Sequence, residues 1–334
     1  MKYYGIDIHK KYSVYTAVDH KGVILKQGRI ANEPELFKEL MQDNQDETRA
    51  VIEATANWGY IHDILEDLVD DVVIAHPLRT KAIASARIKT DKIDATTLAQ
   101  LLRVDMIPES YIPPRDVREL RELLRYRAGL VRIHTLLKNK THAVLIKTGF
   151  QNPCSDLFGK KGREWLGTIE LKAIYRQEVD GFLRIIDFLK NEIIPISHEI
   201  DDIAKADPRA KILESIPGIG HYSAMLILSE IGDIKRFPSA QHLVSYAGLN
   251  PSVHSSGGVT RYGRITKQGS AWLRWVLVQC ASTASRKSGR FSRFHRRIAF
   301  RHGAKTANVA LAREILRICY FLLKKGERYI ECSG

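Results

Sequence analysis

The chain has 334 residues, of which 44% are hydrophobic and 27% charged, and its formal net charge is +14. This length and composition are typical of a globular protein with two or three domains, and no apolar run approaches the roughly 18 residues of a membrane span. The first residues lack the apolar core of a signal peptide. The cysteines (Cys154, Cys280, Cys319 and Cys332) show neither a CxxC pair nor metal-ligand spacing. We therefore expect reduced thiols in a cytoplasmic, nucleoid-associated protein and no disulfide framework.

The charge is unevenly distributed along the chain. Residues 1–114 carry 14 Lys/Arg against 18 Asp/Glu, residues 115–205 carry 17 against 13, and residues 206–334 carry 21 against 7. A C-terminal region this basic predicts a polyanionic partner, most often nucleic acid. The acidic N-terminal region is not expected to bind DNA by bulk charge and would meet it through metal ions. These three ranges are the predicted domains.

The N-terminal range alternates between short apolar segments and amphipathic ones. Five strands are predicted, at residues 3–9, 12–18, 23–30, 50–53 and 71–77. Helices are predicted at residues 34–41 and 58–68 between the later strands. Three antiparallel strands followed by alternating helix and strand is the element order of the ribonuclease-H-like fold. The predicted class is therefore α/β for this range and α for the remainder of the chain.

Four carboxylates stand at the ends or starts of these elements. Asp7 lies near the end of the first strand, Glu53 ends the fourth, and Asp91 and Asp94 lie one helical turn apart at the start of a predicted helix from residue 90. Such oxygen ligands suit Mg²⁺ or Mn²⁺, and two ions can stabilise both oxygens of a phosphoryl transfer. Taken singly, Asp91 and Asp94 also fit the acidic start of an ordinary helix, and Glu53 an ordinary loop.

The middle range is predicted to be helical. A proline-bearing linker at residues 108–114 precedes apolar residues that recur at spacings of three and four from Val117 to Leu145. A second helical stretch covers residues 169–203. The two stretches fit either a long antiparallel pair or a coiled coil with another copy of the chain. Their charges fit a solvated face or a basic arm that carries nucleic acid.

The C-terminal range opens with a segment that matches a helix-hairpin-helix motif. Ile216-Pro217-Gly218-Ile219-Gly220 forms its turn, in which Gly218 and Gly220 would present backbone N–H groups to a phosphate without reading sequence. The alternative is a plain helical hairpin.

A Ser/Gly-rich stretch, His254-Ser255-Ser256-Gly257-Gly258, follows further along and is predicted to be a loop between packed elements. Glycine permits close approach of a backbone to a phosphate. The cations that follow, which would hold a phosphodiester, are Arg261, Arg264 and Lys267. A serine nucleophile in a cationic pocket is one interpretation, and a Ser/Gly-rich turn with solvated charges is the other.

A last basic stretch spans residues 286–301, with Phe291 and Phe294 between its cations. We expect it to form a surface that tracks phosphates, before a final helix at residues 304–323 that packs as core. The cations assigned to nucleic-acid contact are Arg290, Arg293, Arg296 and Arg297.

In the order and spacing of these motifs the chain resembles the insertion-sequence 110 family of transposases, the DEDD-type recombinases guided by a bridge RNA. The matching N-terminal segments are Gly5 to Lys10, Glu53 to Thr55 and Lys89 to Ala95. The matching C-terminal segments are Ile216 to Gly220, Tyr246 to Pro251, Ser255 to Gly258 and Arg264 to Gly269. The likeness covers nearly the full length.

The resemblance implies a RuvC-like N-terminal domain and a C-terminal transposase domain that together cut and rejoin DNA. Its acidic residues, carried over as Asp7, Glu53, Asp91 and Asp94, would hold Mg²⁺. A serine, Ser256 or in second place Ser255, would attack the phosphate and form a covalent phosphoserine. A non-coding RNA would pair with donor and target DNA, and the protein would act as a homo-oligomer, a dimer or a tetramer, in which one subunit's serine completes another subunit's acidic site.

Two other functions are compatible with the same residues. One is a RuvC-like nuclease that uses water as nucleophile, with the Ser-Gly stretch binding phosphate only. The other is a nucleic-acid-binding protein without catalytic activity, its carboxylates serving as helix starts and surface charge.

Overall fold

The computed structural model describes residues 1–42, 47–55, 57–84, 90–256, 258–287 and 289–331, without the side chains of His254, Ser256, Val259 and Tyr262. Contacts divide the chain into two compact units, Met1–Ile112 and Pro113–Gly334. The division of the chain at residues 114 and 205 stays a prediction.

A five-stranded sheet in the order β3-β2-β1-β4-β5 forms the centre of the first unit. β1 is antiparallel to β2 and parallel to β4, while β3 continues the antiparallel side and β5 the parallel side. The strands are β1 (Lys2–Ile8), β2 (Tyr12–Asp19), β3 (Ile24–Ala31), β4 (Thr48–Glu53) and β5 (Asp71–Ala75). All five predicted strands are thereby confirmed. Because β1, β4 and β5 are parallel, their carboxyl ends meet at one edge of the sheet.

Helices cover both faces of this sheet. α1 (Pro34–Met41) and α2 (Trp58–Glu66) pack on the face that carries Ile6 and Ile52. α4 (Asp91–Arg103) packs on the opposite face, against Val51. Side chains alternate along a strand, so positions 7 and 53 belong to the face that α4 covers. The sequence prediction missed one short helix of this unit, α3 (Pro77–Ile83), because it begins at Pro77, where the predicted strand was expected to end.

Two long helices dominate the first part of the second unit. α5 (Arg115–Lys147) and α7 (Ala173–Ala206) run antiparallel, since Leu124 shares a cluster with Ile200 and Leu137 shares one with Ile186. The predicted helical pair is confirmed, with the difference that a separate helix, α6 (Lys160–Thr168), stands between its members.

The rest of the second unit is built around α9, whose residues from Ala224 to Ile231 are all buried. The helices of this region, α9 included, share one large apolar cluster. They are α8 (Pro208–Glu214), α9 (His221–Ile231), α10 (Ala240–Tyr246), α11 (Ala271–Lys287) and α12 (Gly289–Lys325). α12 is interrupted at Gly303, where φ is +81°, and the segment after this kink is the predicted final helix.

One predicted loop is a β-hairpin. β6 (Pro251–Ser256) pairs with β7 (Val259–Ile265), and Gly258, in the turn between them, has a φ of +80°. The Ser-Ser-Gly-Gly composition suggested a loop, but a glycine pair also suits a two-residue hairpin turn. The flanking Val253, Thr260 and Ile265 are the β-branched residues that extended strands favour.

The cysteines within the described residues, Cys154, Cys280 and Cys319, are free thiols, as predicted, while Cys332 lies outside those residues. Burial raises the pKa of the Cys280 thiol to about 11. A protonated, buried thiol of this kind is chemically inert. Among the described residues, no helix combines the length and the apolarity needed to cross a membrane.

Candidate active site

Three of the predicted carboxylates line a single cavity of about 340 Å³ in the first unit. Asp7 comes from the end of β1, Glu53 from the end of β4 and Asp94 from the first turn of α4. The fourth, Asp91, starts the same helical turn, and one of its carboxylate oxygens lies within 4.8 Å of a ligand atom of Asp7. The structure therefore brings together all four carboxylates that were predicted from the sequence.

Close packing fixes the distance between α4 and β1. Gly5 lies directly beneath the helix, and a Cβ at this position would overlap the carbonyl oxygen of Ala95 and the amide nitrogen of Ala99. Glycine is thus required here because the two backbones touch. The contact is one residue away from Asp94, so this packing sets how near the acidic turn of α4 comes to Asp7.

Polar contacts hold the start of α4 in place. The Thr90 hydroxyl accepts a hydrogen bond from the Ile93 amide at 3.3 Å, which caps the helix. Thr96 in the next turn lies 3.0 Å from the Thr16 hydroxyl on β2, and Gln27 on β3 donates to both threonines at 3.0 and 3.1 Å. The first turns of α4 are therefore attached to two strands besides β1.

His9 is a site residue that the sequence interpretation did not assign. Its Nε2 lies 3.4 Å from Asp7 Oδ2 and 3.1 Å from Asp91 Oδ2. The His9 carbonyl accepts hydrogen bonds from the side-chain amides of Asn32 at 2.8 Å and Asn57 at 3.2 Å, which fixes the backbone after β1. Its position two residues after Asp7 could have indicated that the two side chains lie close together, because alternate residues of an extended segment share a face.

The other wall of the cavity comes from α3, the helix that the sequence prediction missed. Thr80 and Lys81 line the cavity opposite the carboxylates. The Thr80 hydroxyl oxygen is buried and has no hydrogen-bond partner within the described part of the chain. Lys81 is exposed and adds a cation to the lining of an otherwise acidic cavity.

The donor set fits a hard divalent cation. Asp7, Glu53, Asp91 and Asp94 supply carboxylate oxygens, which are the ligands that Mg²⁺ and Mn²⁺ prefer. The Asp7 side chain is 13% exposed and the Asp91 side chain 47% exposed, so the group reaches from the sheet surface out to solvent. Asp7, His9 and Asp91 also form a cluster whose ligand atoms lie close enough to hold one ion.

The predicted serines lie on the hairpin of the second unit. Ser255 is exposed, and its hydroxyl is 3.4 Å from the hydroxyl of Thr260 on the paired strand. Ser256 is opposite Val259 in the register, and its side chain lies outside the described part of the structure.

The predicted cations of this hairpin are all exposed. Arg261 is opposite His254 in the register, and Arg264 lies further along β7. Lys267 follows the strand with φ of +56°, and its amide donates to the Gly248 carbonyl at 3.1 Å. Such a left-handed non-glycine residue is uncommon and marks a constrained turn at the base of the hairpin.

The base of the hairpin is connected to a buried carboxylate. Glu230 on α9 has a side chain only 3% exposed, and its Oε1 accepts from Arg125 Nη2 at 2.7 Å. Its Oε2 accepts from the Ser270 hydroxyl at 2.8 Å, and that hydroxyl also accepts from the Leu273 amide at the start of α11. One carboxylate thus links α5, α9 and the segment that follows β7.

The two glycines of the helix-hairpin-helix segment differ in their surroundings. Gly218, with φ of +95°, lies against α11, where a Cβ would come within 2.7 Å of the Ala284 amide nitrogen and the Cys280 carbonyl oxygen. Packing and conformation therefore account for this glycine. Gly220 precedes α9 and is exposed. Phosphate binding by either glycine stays a prediction.

The basic stretch before Gly303 is part core and part surface. Phe291, expected to lie among the phosphate-binding cations, is instead 1% exposed and stacks on Tyr329 at a centroid distance of 5.7 Å. The expectation for Phe291 was wrong, because its ring fills the apolar cluster of the second unit. The predicted cations of this helix are exposed, namely Arg290, Arg293, Arg296 and Arg297.

Comparison with known proteins gives matches over most of the chain. A transposase model of the DEDD-type IS110 group matches residues 4–149, and a model of the transposase IS116/IS110/IS902 family matches residues 210–296. The first match contains all four candidate carboxylates, and the second contains the serine hairpin.

Individual relatives are transposases and gene-inverting proteins. Over 248 residues the chain is 28% identical to a transposase for insertion sequence element IS1328 from Yersinia enterocolitica, covering 71% of this chain and 72% of that protein. It is 29% identical over 259 residues to a transposase for insertion sequence element IS1111A from Coxiella burnetii, covering 72% and 68%. It is also 27% identical over 294 residues to a pilin gene-inverting protein from Moraxella lacunata, covering 84% and 80%.

Proposed function

Since this chain belongs to the insertion-sequence 110 family of transposases, enzymes that act on DNA, we propose that it cuts and rejoins DNA with a metal-dependent acidic site and a serine nucleophile. The observation that supports this most strongly is the convergence of Asp7, Glu53, Asp91 and Asp94 at one edge of the sheet. The strand order β3-β2-β1-β4-β5, antiparallel on one side and parallel on the other, supports a RuvC-like fold for the first unit.

Within this proposal the four carboxylates hold Mg²⁺ or Mn²⁺. Asp7 and Glu53 are fixed by neighbouring parallel strands, and Asp91 and Asp94 by the anchored first turn of α4. A bound divalent cation would supply Lewis-acid stabilisation of the negative charge that develops on the phosphate oxygens. Lys81, in the lining of the same cavity, would hold a non-bridging phosphate oxygen of the DNA strand.

The nucleophile in this proposal is Ser256, with Ser255 as the second candidate. The serine hydroxyl gives up its proton as its oxygen forms a bond to phosphorus, while the bond from phosphorus to the oxygen of one strand end breaks and that oxygen takes up a proton and leaves as a hydroxyl. The covalent phosphoserine keeps the energy of the phosphodiester for rejoining, which hydrolysis would lose. The exposed Arg261, Arg264 and Lys267 would neutralise the DNA backbone beside the serine.

Sequence specificity in this proposal comes from an element-encoded RNA that pairs with donor and target DNA. The protein acts as a homo-oligomer, in which the serine of one copy is supplied to the acidic site of another. Sequencing RNA that copurifies with the full chain tests the first statement. Mixing Ser256→Ala with Asp7→Asn protein tests the second: recovery of part of the cleavage activity supports shared sites, and no recovery in confirmed mixed oligomers contradicts them.

Trapping the covalent intermediate tests the chemistry. The protein is denatured during the reaction, and DNA bound to a serine is identified by mass spectrometry. Ser256→Ala should abolish the adduct and strand cleavage while leaving DNA affinity nearly unchanged, because one neutral hydroxyl adds little to affinity dominated by phosphate contacts. Ser255→Ala is the matched control and should retain activity. Cleavage without any adduct would establish a nuclease that uses water instead.

Asp7→Asn separates the metal site from the serine. An amide is neutral and binds a hard cation poorly, so cleavage should fall by about 10³-fold or more, since Lewis-acid stabilisation is worth several kcal/mol. Full activity of an Asp7→Asn, Asp91→Asn double variant would contradict a catalytic role of these carboxylates. It would support the alternative in which they serve only as a helix start and surface charge.

A further inference from the structure

A second cavity, of about 630 Å³, lies in the second unit among α5, α6 and α7, which we call the helical arm. None of its lining residues belongs to the serine hairpin. It is enclosed by α5, the segment 156–159, the start of α6 and the middle of α7. Its polar lining is mainly basic, and the basic residues come from three helices. They are His134, Lys138, Lys160, Arg163 and Lys190.

The cavity is held rigidly where α6 begins. Gly162 is buried against the preceding segment, and a Cβ there would overlap the backbone of Leu157. Arg163 forms a two-pronged ion pair with Asp187 on α7, including a 3.0 Å hydrogen bond from Nη1 to Oδ2. Lys138 lies over the Phe158 ring, its Nζ 4.9 Å from the centroid. α5, α6 and α7 are therefore tied together around the cavity.

The charges of the cavity do not cancel. Asp187 is neutralised by Arg163, and Asp156 accepts a hydrogen bond from the Phe158 amide at 3.0 Å. Within the described residues, the lysines of the lining form no ion pair with any carboxylate; these are Lys138, Lys160 and Lys190. The lining thus carries an excess of positive charge that a dianion would balance.

The surroundings of His134, in the lining of the cavity, show the same excess of positive charge. Its pKa is lowered below the ordinary value first by burial and then by the positive charges of Lys138, Lys190 and Arg163, with Asp187 acting in the opposite direction. In its neutral form, an imidazole donates one hydrogen bond and accepts another. An anion that entered the cavity would reverse the electrostatic part of this effect.

We propose that this cavity binds a phosphate group, carried by a nucleic-acid strand or as a free phosphate. Three lysines from three directions suit a compact, multiply charged oxyanion, and Arg163, though paired, presents a planar guanidinium to the same space. Among phosphate carriers, a nucleic-acid strand is the one that a DNA-acting protein meets at high concentration. The proposal concerns binding alone and holds whether or not the acidic site cuts DNA.

The test follows the His134 ring in the full chain by nuclear magnetic resonance, with ¹³C-labelled histidine and with His134→Gln to identify the signal. The pKa of His134 is measured without ligand, with inorganic phosphate and with a short single-stranded oligonucleotide. We expect each ligand to raise the His134 pKa. A shift with inorganic phosphate alone would assign the cavity to free phosphate, and a shift with the oligonucleotide alone would assign it to a strand.

Matched variants make the test specific. The Lys138→Gln, Lys190→Gln double variant should weaken phosphate binding by up to about thirty-fold, since each of the two charge contacts contributes up to about 1 kcal/mol. The control is Lys161→Gln, which removes an exposed lysine next to the cavity but outside its lining. Removing lysines also raises the pKa of ligand-free His134, so the comparison uses the ligand-induced change within each variant.

Two outcomes would overturn the proposal. One is a His134 pKa that neither ligand changes at millimolar concentration. The other is a ligand-induced change that the double variant and Lys161→Gln keep equally, because the effect would then come from the general charge of the arm.

Discussion

In the first unit the candidate carboxylates stand on elements that pack around a core, whereas in the second unit the candidate serines stand on a hairpin whose described side chains are largely exposed. Asp7 and Glu53 end strands in the middle of the sheet, and α4 is pressed against Gly5. Ser255 lies on a two-stranded hairpin that is tied down at its base, near Lys267 and Ser270.

This difference suits the two chemical roles. Metal ligands must converge from separate elements, and their positions need the precision that only packing gives. A nucleophile that forms a covalent bond with a large DNA substrate needs access instead, and an exposed hairpin provides it. The largest effects of mutation on stability should therefore come from the packed site and the smallest from the hairpin.

Gly5→Ala should be the most damaging small change outside the ligands. The new methyl group would collide with the backbone of α4, and overpacking of this kind costs about 1–3 kcal/mol or more. Because α4 must move, Asp91 and Asp94 would move with it, so DNA cleavage should fall together with the unfolding midpoint in urea.

Gly28→Ala is the matched control for this prediction. It lies on β3 of the same sheet, where a Cβ would meet only the end of the Tyr15 side chain, at 2.9 Å from its hydroxyl. That ring can move, so the cost should be small. Equal losses in the two variants would mean that the close approach of α4 does not determine the site.

The sequence predicted the strands and carboxylates of the packed unit because these depend on local patterns. Alternation placed Asp7 and Glu53, and the acidic first turn placed Asp91 and Asp94. α3 was missed because it begins at Pro77, which the sequence interpretation took as the end of the preceding strand, whereas β5 ends at Ala75. His9 was missed because its role depends on the distance to Asp91, which only the packing of α4 on β1 determines.

The hairpin and the basic stretch were harder to predict for a related reason. Ser255 to Gly258 has the composition of a loop, and its pairing with β7 depends on a register that composition does not specify. Phe291 was taken for a surface residue because its neighbours are cationic. It is buried because Tyr329, far along the chain, stacks on it.

Glu230→Gln should destabilise the second unit by about 1–3 kcal/mol, since it replaces a charged, buried partner of Arg125 and Ser270 with a neutral one. The measurement is the urea midpoint followed by tryptophan fluorescence, because Trp272 and Trp275 lie on α11 directly after Ser270. Loss of this anchor should also lower serine-dependent cleavage.

Glu122→Gln is the control, since Glu122 pairs with the same Arg125 at 3.6 Å but has a side chain 78% exposed. Its effect should stay below about 0.5 kcal/mol. If both substitutions had the same effect, burial of Glu230 would not matter, and the link between α5 and the base of the hairpin would be wrong.

Gly258→Ala should cost about 1 kcal/mol, from the strain of a positive φ in a residue with a Cβ. Within the described part of the structure, no atom lies within 4 Å of a Cβ at this position, so no packing cost is added there. The global unfolding midpoint should change little. A loss as large as that of Gly5→Ala would show that the hairpin is part of the folded core.

Arg261→Gln should have the smallest effect and should appear in binding alone. Arg261 is exposed on β7, and a phosphate contact from it carries no sequence information. Removing one such contact should weaken binding to unrelated DNA sequences by a similar, modest factor and reduce the slope of log affinity against log salt by about 1. The measurement is fluorescence anisotropy at several salt concentrations.

The control is Lys21→Gln, which removes an exposed cation of the acidic unit and should leave the slope of log affinity against log salt unchanged. If Lys21→Gln changed the slope as much as Arg261→Gln, the acidic unit would bind DNA by bulk charge after all. The two units would then differ in how their candidate site residues are packed, but not in how they bind DNA.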